Sequence, residues 1–299
     1  MNHERTQHER RFDVPGNAER HERNEIGARP GAVARFRRGD PLQPALADAE
    51  DDFTELREDV WQWTLDNSPR LATDLGDRRG DGQLGDPSLE GYEQRLAETR
   101  AFLARLDAID EEALPANLQI DYALMARDFH DTLEASTFDQ TRYITFTNRG
   151  GPQQAISGLP YSSPLFTVAD YESYLGRLEG FPEYIQHFID RNRHGIELGL
   201  TQPCEPMQGY ENSIAGLIAE TPEDSVWWQA FETRPAAISE NDWEGLQVRA
   251  RTAIGEGAFE GLGEFLKYYT EDYAPNCRAD ASPGIGQTPG GQDYYAYRV

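Results

Sequence analysis

The sequence predicts an all-α protein built as a multi-helix array of antiparallel helix hairpins, and three observations support this prediction. Apolar residues recur at steps of three and four over most of the chain after residue 50. Capping and turn residues close these periodic segments, and no strand-helix alternation is present that would form a parallel sheet. One long irregular loop, at about residues 137–164, interrupts the helices and carries a short β-like segment, TRYITFTN.

Before this loop, apolar stripes predict one long helix followed by a helix hairpin. The first stripe consists of Phe53, Leu56, Val60 and Trp63. Ser68 followed by Pro69 has the pattern of a new helix start. Stripes over residues 92–106 and 118–133 then predict two antiparallel helices that are joined by the turn DEEALPAN.

After the loop the helical pattern resumes. Thr167 and Asp170 have the spacing of a capping box, and Pro182 begins a helix that Gly199 ends. Ser239 caps a long helix that contains four glycines, each costing about 1 kcal/mol relative to alanine. These glycines predict a kink or a close helix contact; they are Gly255, Gly257, Gly261 and Gly263.

The composition limits the classes of partner. The net charge of -25 results from 53 acidic and 28 basic side chains, and Lys267 is the only lysine. Phosphate groups are bound by clustered Lys and Arg, so the sequence predicts neither nucleic acid nor an anionic membrane as a partner. A carboxylate excess of this size is typical of the acidic proteome of a halophile, where salt screens self-repulsion.

The first 50 residues differ from the rest of the chain. Nine arginines lie between Arg5 and Arg38, while large apolar residues are scarce. We therefore predict a disordered tail over residues 1–50 and a helical domain over residues 51–299. The stretch HERTQHER is not a zinc helix, because His3 and His8 are five residues apart and the zinc helix needs a spacing of four.

Cysteine usage and hydropathy indicate the compartment. Cys204 and Cys277 are isolated, without a CxxC pattern or a histidine at ligand spacing, so the sequence supports neither a disulfide framework nor a zinc knuckle. No apolar h-region follows the N-terminal arginines, and no apolar run reaches 18 residues. We expect a cytoplasmic protein.

No motif of catalysis or metal binding is recognisable, so we assign no catalytic residue and no metal ligand. The chain lacks a phosphate loop, a dinucleotide fingerprint and a GxSxG elbow. His130 and Asp131 are neighbours on a helix and so point apart. His187 and His194 share a helix face, but no glutamate completes a site there.

One acidic, tryptophan-bearing segment permits two interpretations. Its carboxylates and rings would suit a sugar site, which would make the chain a carbohydrate-active helical hydrolase; the residues are Glu223, Asp224, Trp227 and Trp228. The interpretation that we favour is a surface loop held in place by two buried tryptophans.

Several segments, in their order along the chain, resemble the bacterial and archaeal family called domain of unknown function 885, whose helical members are regarded as metallopeptidase-like. They lie between about Asp52 and Val299 and include NSPRLATDLGDRRGDGQLGDPS, the GGPQQ turn, TVADYESYLGRLEGFPEYIQ, FLKYYTEDYAPNCR and PGGQDYYAYRV. In that family a His-Glu metal helix lies downstream of the segment matching PGGQDYYAYRV. The resemblance therefore implies that this chain is the N-terminal half, truncated before the metal-binding half, and that zinc is expected only in the other half.

The resemblance also implies a role and partners. The chain would be the helical half of a zinc-metallopeptidase-like protein, not catalytic alone, with a peptide substrate and with a separate C-terminal half or a second copy as partner. By analogy, candidates for the lining of a substrate channel are Gly151, Pro152, Gln153, Tyr294 and Tyr295. The alternatives are a rigid turn at the loop and, for the whole chain, a non-catalytic helical scaffold or partner-binding module.

Overall fold

The computed structural model of the protein describes residues 42–279 and 284–299. Within these ranges the chain forms helices and turns without a sheet, which confirms the all-α prediction. Two isolated β-bridges occur there, between Thr147 and Gly150 and between Pro203 and Arg278. The described residues include no helix with the length and apolar character needed to cross a membrane.

The N-terminal helices surround a small core. They are α1 (Leu42–Asn67), α2 (Pro69–Asp74), α3 (Leu89–Leu106) and α4 (Ala116–Ala135). The predicted hairpin is present as α3 and α4, and Phe53 of α1 is fully buried in the core that these helices enclose. Because α1 begins at Leu42, the helical region starts earlier than the boundary that we predicted at residue 50. The rest of the predicted tail and the stretch HERTQHER lie outside the described residues.

The predicted irregular loop is more helical than expected. It contains the short helices α5 (Asp139–Tyr143), α6 (Gln154–Ser157) and α7 (Leu159–Ser162). The β-like segment TRYITFTN does not become a strand, because its first residues belong to α5. Its last part forms a tight turn in which the amide of Thr147 donates to the carbonyl oxygen of Gly150 at 3.0 Å.

The larger core lies among the later helices. They are α8 (Val168–Glu179), α9 (Phe181–Glu197), α10 (Tyr210–Ala215), α11 (Glu240–Thr252) and α12 (Glu260–Tyr268). The capping box at Thr167 and Asp170 is present at the start of α8. Trp227 and Phe265 are among the fully buried side chains of this core.

The close helix contact that the glycines predicted is present, and π-helical segments interrupt the glycine-bearing helix. A π-helical segment, Ala253–Phe259, separates α11 from α12, and a second one follows α12 at Tyr269–Tyr273. Gly257 faces the backbone of Leu178 so closely that a Cβ at this position would overlap the carbonyl oxygen. A Cβ at Gly261 would lie 2.7 Å from the ring of Phe181.

The two cysteines correct one expectation from the sequence. Cys204 and Cys277 form a disulfide with a Cα–Cα distance of 5.0 Å. Hydrogen bonds surround it: the amide of Cys204 donates to the carbonyl oxygen of Arg278 and the amide of Arg278 to that of Gln202, both at 2.9 Å. The 73-residue separation hid this pair, since distance along the chain does not show which helix ends meet.

The final helix is tied back to the middle of the chain. α13 (Gly291–Arg298) follows a turn in which Gln140 donates from Nε2 to the carbonyl oxygen of Pro289 at 2.7 Å. From α13 itself, the hydroxyl of Tyr297 donates to the carbonyl oxygen of Asp131 at 3.0 Å.

Candidate functional site

A groove follows α9, and one tyrosine on this helix contributes to two cavities. The side chain of Tyr184 lines both of them, and the ring of Phe188, one turn later, has its centroid 5.1 Å from that of Tyr184. Burial raises the pKa of Tyr184 above its ordinary value, so the side chain is a neutral phenol at neutral pH. The two cavities thus share an uncharged aromatic wall.

The first cavity, which we call the acidic cavity, has a volume of about 410 Å³. Asp66, Asp86, Glu183 and His187 line it together with Tyr184. No lysine or arginine of the described residues belongs to its lining. Asp66 is paired with Arg79 at 2.8 Å and Arg95 lies near Asp86, so Glu183 is the lining carboxylate that has no cationic partner among the described residues.

Asp86 keeps its charge in this setting. Burial raises its pKa, but hydrogen bonds from Ser88 and the nearby charges of Arg95 and His187 outweigh burial and hold the pKa below its usual value. The amide of Ser88 donates to Oδ1 of Asp86 at 2.8 Å. The carboxylate is therefore ionised at neutral pH and attracts cations to the cavity.

Close backbone packing builds the floor of the acidic cavity. A Cβ at Gly176 of α8 would lie 3.3 Å from the carbonyl oxygen of Gly82, so glycine allows the loop to approach the helix. Arg177, which is buried, donates from Nε to the carbonyl oxygen of Gln83 at 3.0 Å and from Nη2 to Oγ1 of Thr73 at 2.7 Å. The loop GDGQLGD is thereby held against α8.

The second cavity, which we call the loop cavity, has a volume of about 440 Å³ and shares Tyr184 with the acidic cavity. Gly150, Gly151 and Pro152 line it, together with Arg149. The guanidinium of Arg149 is exposed and forms no ion pair or hydrogen bond within residues 42–279 and 284–299. The loop cavity therefore offers a free positive charge, whereas the acidic cavity that shares Tyr184 is lined by carboxylates.

The residues that we predicted to line a substrate channel do not lie together in the structure. Gly151 and Pro152 line the loop cavity, and a Cβ at Gly151 would collide with the hydroxyl of Tyr210. Gln153 is buried and does not line this cavity. Its Oε1 accepts from the Tyr210 hydroxyl at 3.1 Å and its Nε2 donates to Oγ of Ser213 at 3.2 Å. Its amide thus anchors the loop to α10.

The two C-terminal tyrosines lie on α13 and line neither cavity of the groove. The ring of Tyr294 has its centroid 5.5 Å from that of Phe138. Tyr295 is exposed. Their role in a channel stays a prediction.

Sequence reasoning missed Tyr184, Asp66 and Asp86 as groove residues, and it treated His187 as an ordinary helix residue. The paired glycines of GDGQLGD were the available signal, because they mark a loop that approaches other backbone closely. No periodicity in the sequence shows that this loop lies beside α9.

The tryptophan segment does not form the sugar site that we considered. Trp227 is fully buried and donates from Nε1 to the carbonyl oxygen of Ile156 at 2.7 Å, so neither ring face is free for stacking. Trp228 is half-buried, with the guanidinium of Arg251 lying 4.9 Å from its ring centroid. Glu223 is paired with the same arginine at 2.6 Å.

The described part of the chain also provides no set of side chains that could bind a zinc ion. It contains no group of three or more His, Cys, Asp or Glu side chains placed to hold a metal. We therefore derive no chemistry from a metal bound to these residues.

The described residues define an all-helical protein with two cavities along α9. The profile of the family described as "Bacterial protein of unknown function (DUF885)" matches residues 69–299, and the chain belongs to this family. This confirms the resemblance seen in the sequence. No curated protein matches the chain.

A solved structure shares the fold. The crystal structure of a "putative lipoprotein" from Colwellia psychrerythraea is similar to this chain with a TM-score of 0.68 and 15% sequence identity. The similarity covers 85% of this chain and 44% of the other chain, so this chain spans less than half the length of that protein.

Proposed function

We propose that the chain is the N-terminal helical half of a zinc-metallopeptidase-like protein and that it forms one wall of a peptide-binding groove without hydrolysing peptides alone. Family membership and the partial coverage of a longer protein of the same fold support this proposal. The described residues offer no metal cluster, so the chemistry would reside in the other half. A separate C-terminal half or a second copy of the chain is the partner that this proposal requires.

The arrangement of charge around Tyr184 is the observation on which the proposal rests. Tyr184 lines two cavities, of which one is also lined by carboxylates and the other by Arg149. A free-ended peptide has the matching pattern, with an ammonium group at one end, a carboxylate at the other and side chains between them. A site with both charges recognises such a chain better than it recognises a simple anion or cation.

Calorimetric titration with a free-ended heptapeptide of alanine, leucine and phenylalanine tests the proposal. We expect binding by the wild-type chain, and about tenfold weaker binding by Arg149→Gln, since one charge pair would be lost. Arg100→Gln is the matched control, because Arg100 is also exposed and forms no ion pair among the described residues. Equal affinity of both variants for the peptide would refute the assignment of Arg149.

The same peptide, acetylated at its N-terminus and amidated at its C-terminus, separates charge recognition from apolar contact. We expect this blocked peptide to bind more weakly than the free-ended one. In neither case do we expect cleavage or stoichiometric zinc uptake by the chain alone. Hydrolysis that depends on zinc held by this chain would overturn the proposal.

A second candidate function, a helical scaffold or partner-binding module, is favoured by one surface of α4. Ile120 and Leu124, one turn apart, are 63% and 61% exposed. Adjacent exposed apolar side chains of this kind mark interaction surfaces. Light scattering tests this candidate, since Leu124→Glu should abolish any self-association of the wild type. The carbohydrate-active hydrolase is not favoured, because Trp227 is buried.

The proposal also concerns the cellular compartment of the protein and the salt content of its surroundings. The cytoplasmic location predicted from the sequence stays a prediction, and the Cys204–Cys277 disulfide favours an oxidising compartment instead. The net charge of -25 supports a halophilic source and argues against nucleic acid as a partner.

A further inference from the structure

A third cavity lies outside the groove, between α2 and the segment that follows α7. It has a volume of about 350 Å³, and we call it the hydroxyl cavity. Side chains with hydroxyl groups and three charged side chains line it, among them Thr73, Asp74, Arg78, Asp81, Tyr161 and Ser162. None of these residues lines the acidic cavity or the loop cavity.

Arg78 is fixed in orientation by two buried carboxylates. Its Nε donates to Oδ2 of Asp81 at 2.6 Å, and its Nη2 donates to Oδ1 of Asp170. Its Nη1 has no hydrogen-bond partner in the described ranges, and the side chain is about half exposed. A guanidinium held at two nitrogens and free at the third presents donors in a fixed direction.

The charges around the cavity nearly cancel. Oγ1 of Thr73 donates to Oδ1 of Asp81 and accepts from Nη2 of Arg177, both at 2.7 Å. The network therefore holds two guanidiniums, of Arg78 and Arg177, and two carboxylates, of Asp81 and Asp170. Asp74, which is exposed and makes no hydrogen bond or ion pair among the described residues, adds one negative charge. An anion is therefore disfavoured. The lining provides free donors on Arg78 and free acceptors on Asp74, a combination that suits hydroxyl groups, because these both donate and accept.

Two aromatic rings are exposed in this region: Tyr161 lines the cavity, and Phe166 follows Pro164, another lining residue, by two positions. Tyr161 is 75% exposed, although its hydroxyl is fixed by a 3.0 Å hydrogen bond to Oε1 of Gln229. Phe166 is 73% exposed, and its amide donates to Oδ2 of Asp170, the carboxylate that also holds Arg78. Burying an aromatic ring is favourable, so the exposure of Tyr161 in the lining of a polar cavity indicates a ligand with an apolar face.

We propose that the hydroxyl cavity binds an uncharged saccharide. The sugar hydroxyls would pair with Nη1 of Arg78 and the carboxylate of Asp74, and the apolar face of the sugar ring would lie on Tyr161. The proposal assigns binding and no hydrolysis, since Asp81 and Asp170 are both engaged with Arg78. It is independent of the peptide-binding role of the α9 groove.

Saturation-transfer NMR on the full chain tests the proposal, with the uncharged sugars maltotriose, cellotriose and tri-N-acetylchitotriose as the probes. We expect transfer to at least one of them and about tenfold weaker binding by Tyr161→Ala, the loss expected for one stacking contact. Asp74→Asn should also weaken binding. Trp61→Ala, which removes an exposed ring on α1, is the matched control and should bind like the wild type.

Both variants remove exposed side chains, so their melting temperatures should stay close to that of the wild type, which separates lost binding from lost folding. Absence of transfer to all three probes, or unchanged binding by Tyr161→Ala, would overturn the proposal. Self-association that Tyr161→Ala abolishes, without sugar binding, would instead assign the rings to a protein interface and would also overturn it.

Discussion

Gly257 in the π-helical segment contacts the carbonyl oxygen of Leu178 at the end of α8 with no room for a side chain. Gly263 on α12 differs, because a Cβ there would meet no atom within 4 Å. One long helical stretch therefore contains a glycine that packing requires and another that packing does not require.

These two glycines give a matched pair of substitutions. Gly257→Ala should lower the free energy of unfolding by about 1–3 kcal/mol, because the added methyl forces two helices apart. Gly263→Ala should raise it by up to about 1 kcal/mol, since alanine has the higher helix propensity. Urea unfolding measures both. An equal effect of the two substitutions would contradict the packing seen at Leu178.

Arg177 links α8 to the preceding loop and should be important for stability. Arg177→Met would leave the carbonyl oxygen of Gln83 without its donor and would remove one of the two donors to that of Gly80, so we expect a loss of about 2–4 kcal/mol in the free energy of unfolding. Arg100→Met, at an exposed position, should change it by less than about 0.5 kcal/mol. Denaturant titration at neutral pH distinguishes the two.

The environment of Asp170 predicts how acid changes the stability of the protein. Burial raises its pKa, but hydrogen bonds from Arg78, Phe166 and Thr167 outweigh burial, so the pKa in the folded protein lies below its usual value. Asp170 therefore contributes stability that is present above the ordinary aspartate pKa and is lost as the pH falls through the lower folded pKa.

We expect the Asp170→Asn variant to lose less stability than the wild type when the pH is lowered. Asp74→Asn, at an exposed position, should leave the dependence of stability on pH unchanged. Thermal unfolding from pH 7 down to about pH 3 measures this difference between the two variants. Parallel profiles for wild type and Asp170→Asn would show that other carboxylates control the acid transition.

The disulfide should contribute measurably to stability. The double variant Cys204→Ser/Cys277→Ser should lose about 2–4 kcal/mol in the free energy of unfolding, because the unfolded chain regains the freedom of a loop with a 73-residue separation. A phosphine reductant should destabilise the wild type and leave the double variant unaffected. Free thiols in the protein as isolated from its source would contradict the pairing.

Salt should stabilise this protein. With a net charge of -25, self-repulsion weakens as the Debye length falls from about 10 Å at 0.1 M to about 3 Å at 1 M potassium chloride. We expect the melting temperature to rise over this range by more than it does for a variant in which several exposed carboxylates are replaced by amides. A flat response would argue against a halophilic source.

Local patterns predicted the helices better than they predicted the site. Thr167 with Asp170, Pro69, and the glycines of the long helix each act on neighbours in sequence or on one helix face, so their consequences can be derived without a structure. The order of segments also predicted the family.

The groove depends on contacts between distant segments. Tyr184 joins two cavities only because α9 lies between the loop GDGQLGD and the turn at Gly150, and nothing in the spacing of these residues shows this. Gln153 was predicted to contact a ligand because it lies in a conspicuous turn. In the structure its side-chain amide instead forms hydrogen bonds with Tyr210 and Ser213.

The Cys204–Cys277 bond also makes the intervening helices part of a covalent ring. Glu232 and Thr233 lie in an exposed stretch of that ring, away from the buried helices on either side. A protease that cuts after Glu232 would therefore open the ring without releasing a fragment. The nicked protein would migrate as one species on a non-reducing gel and would separate into two only after reduction.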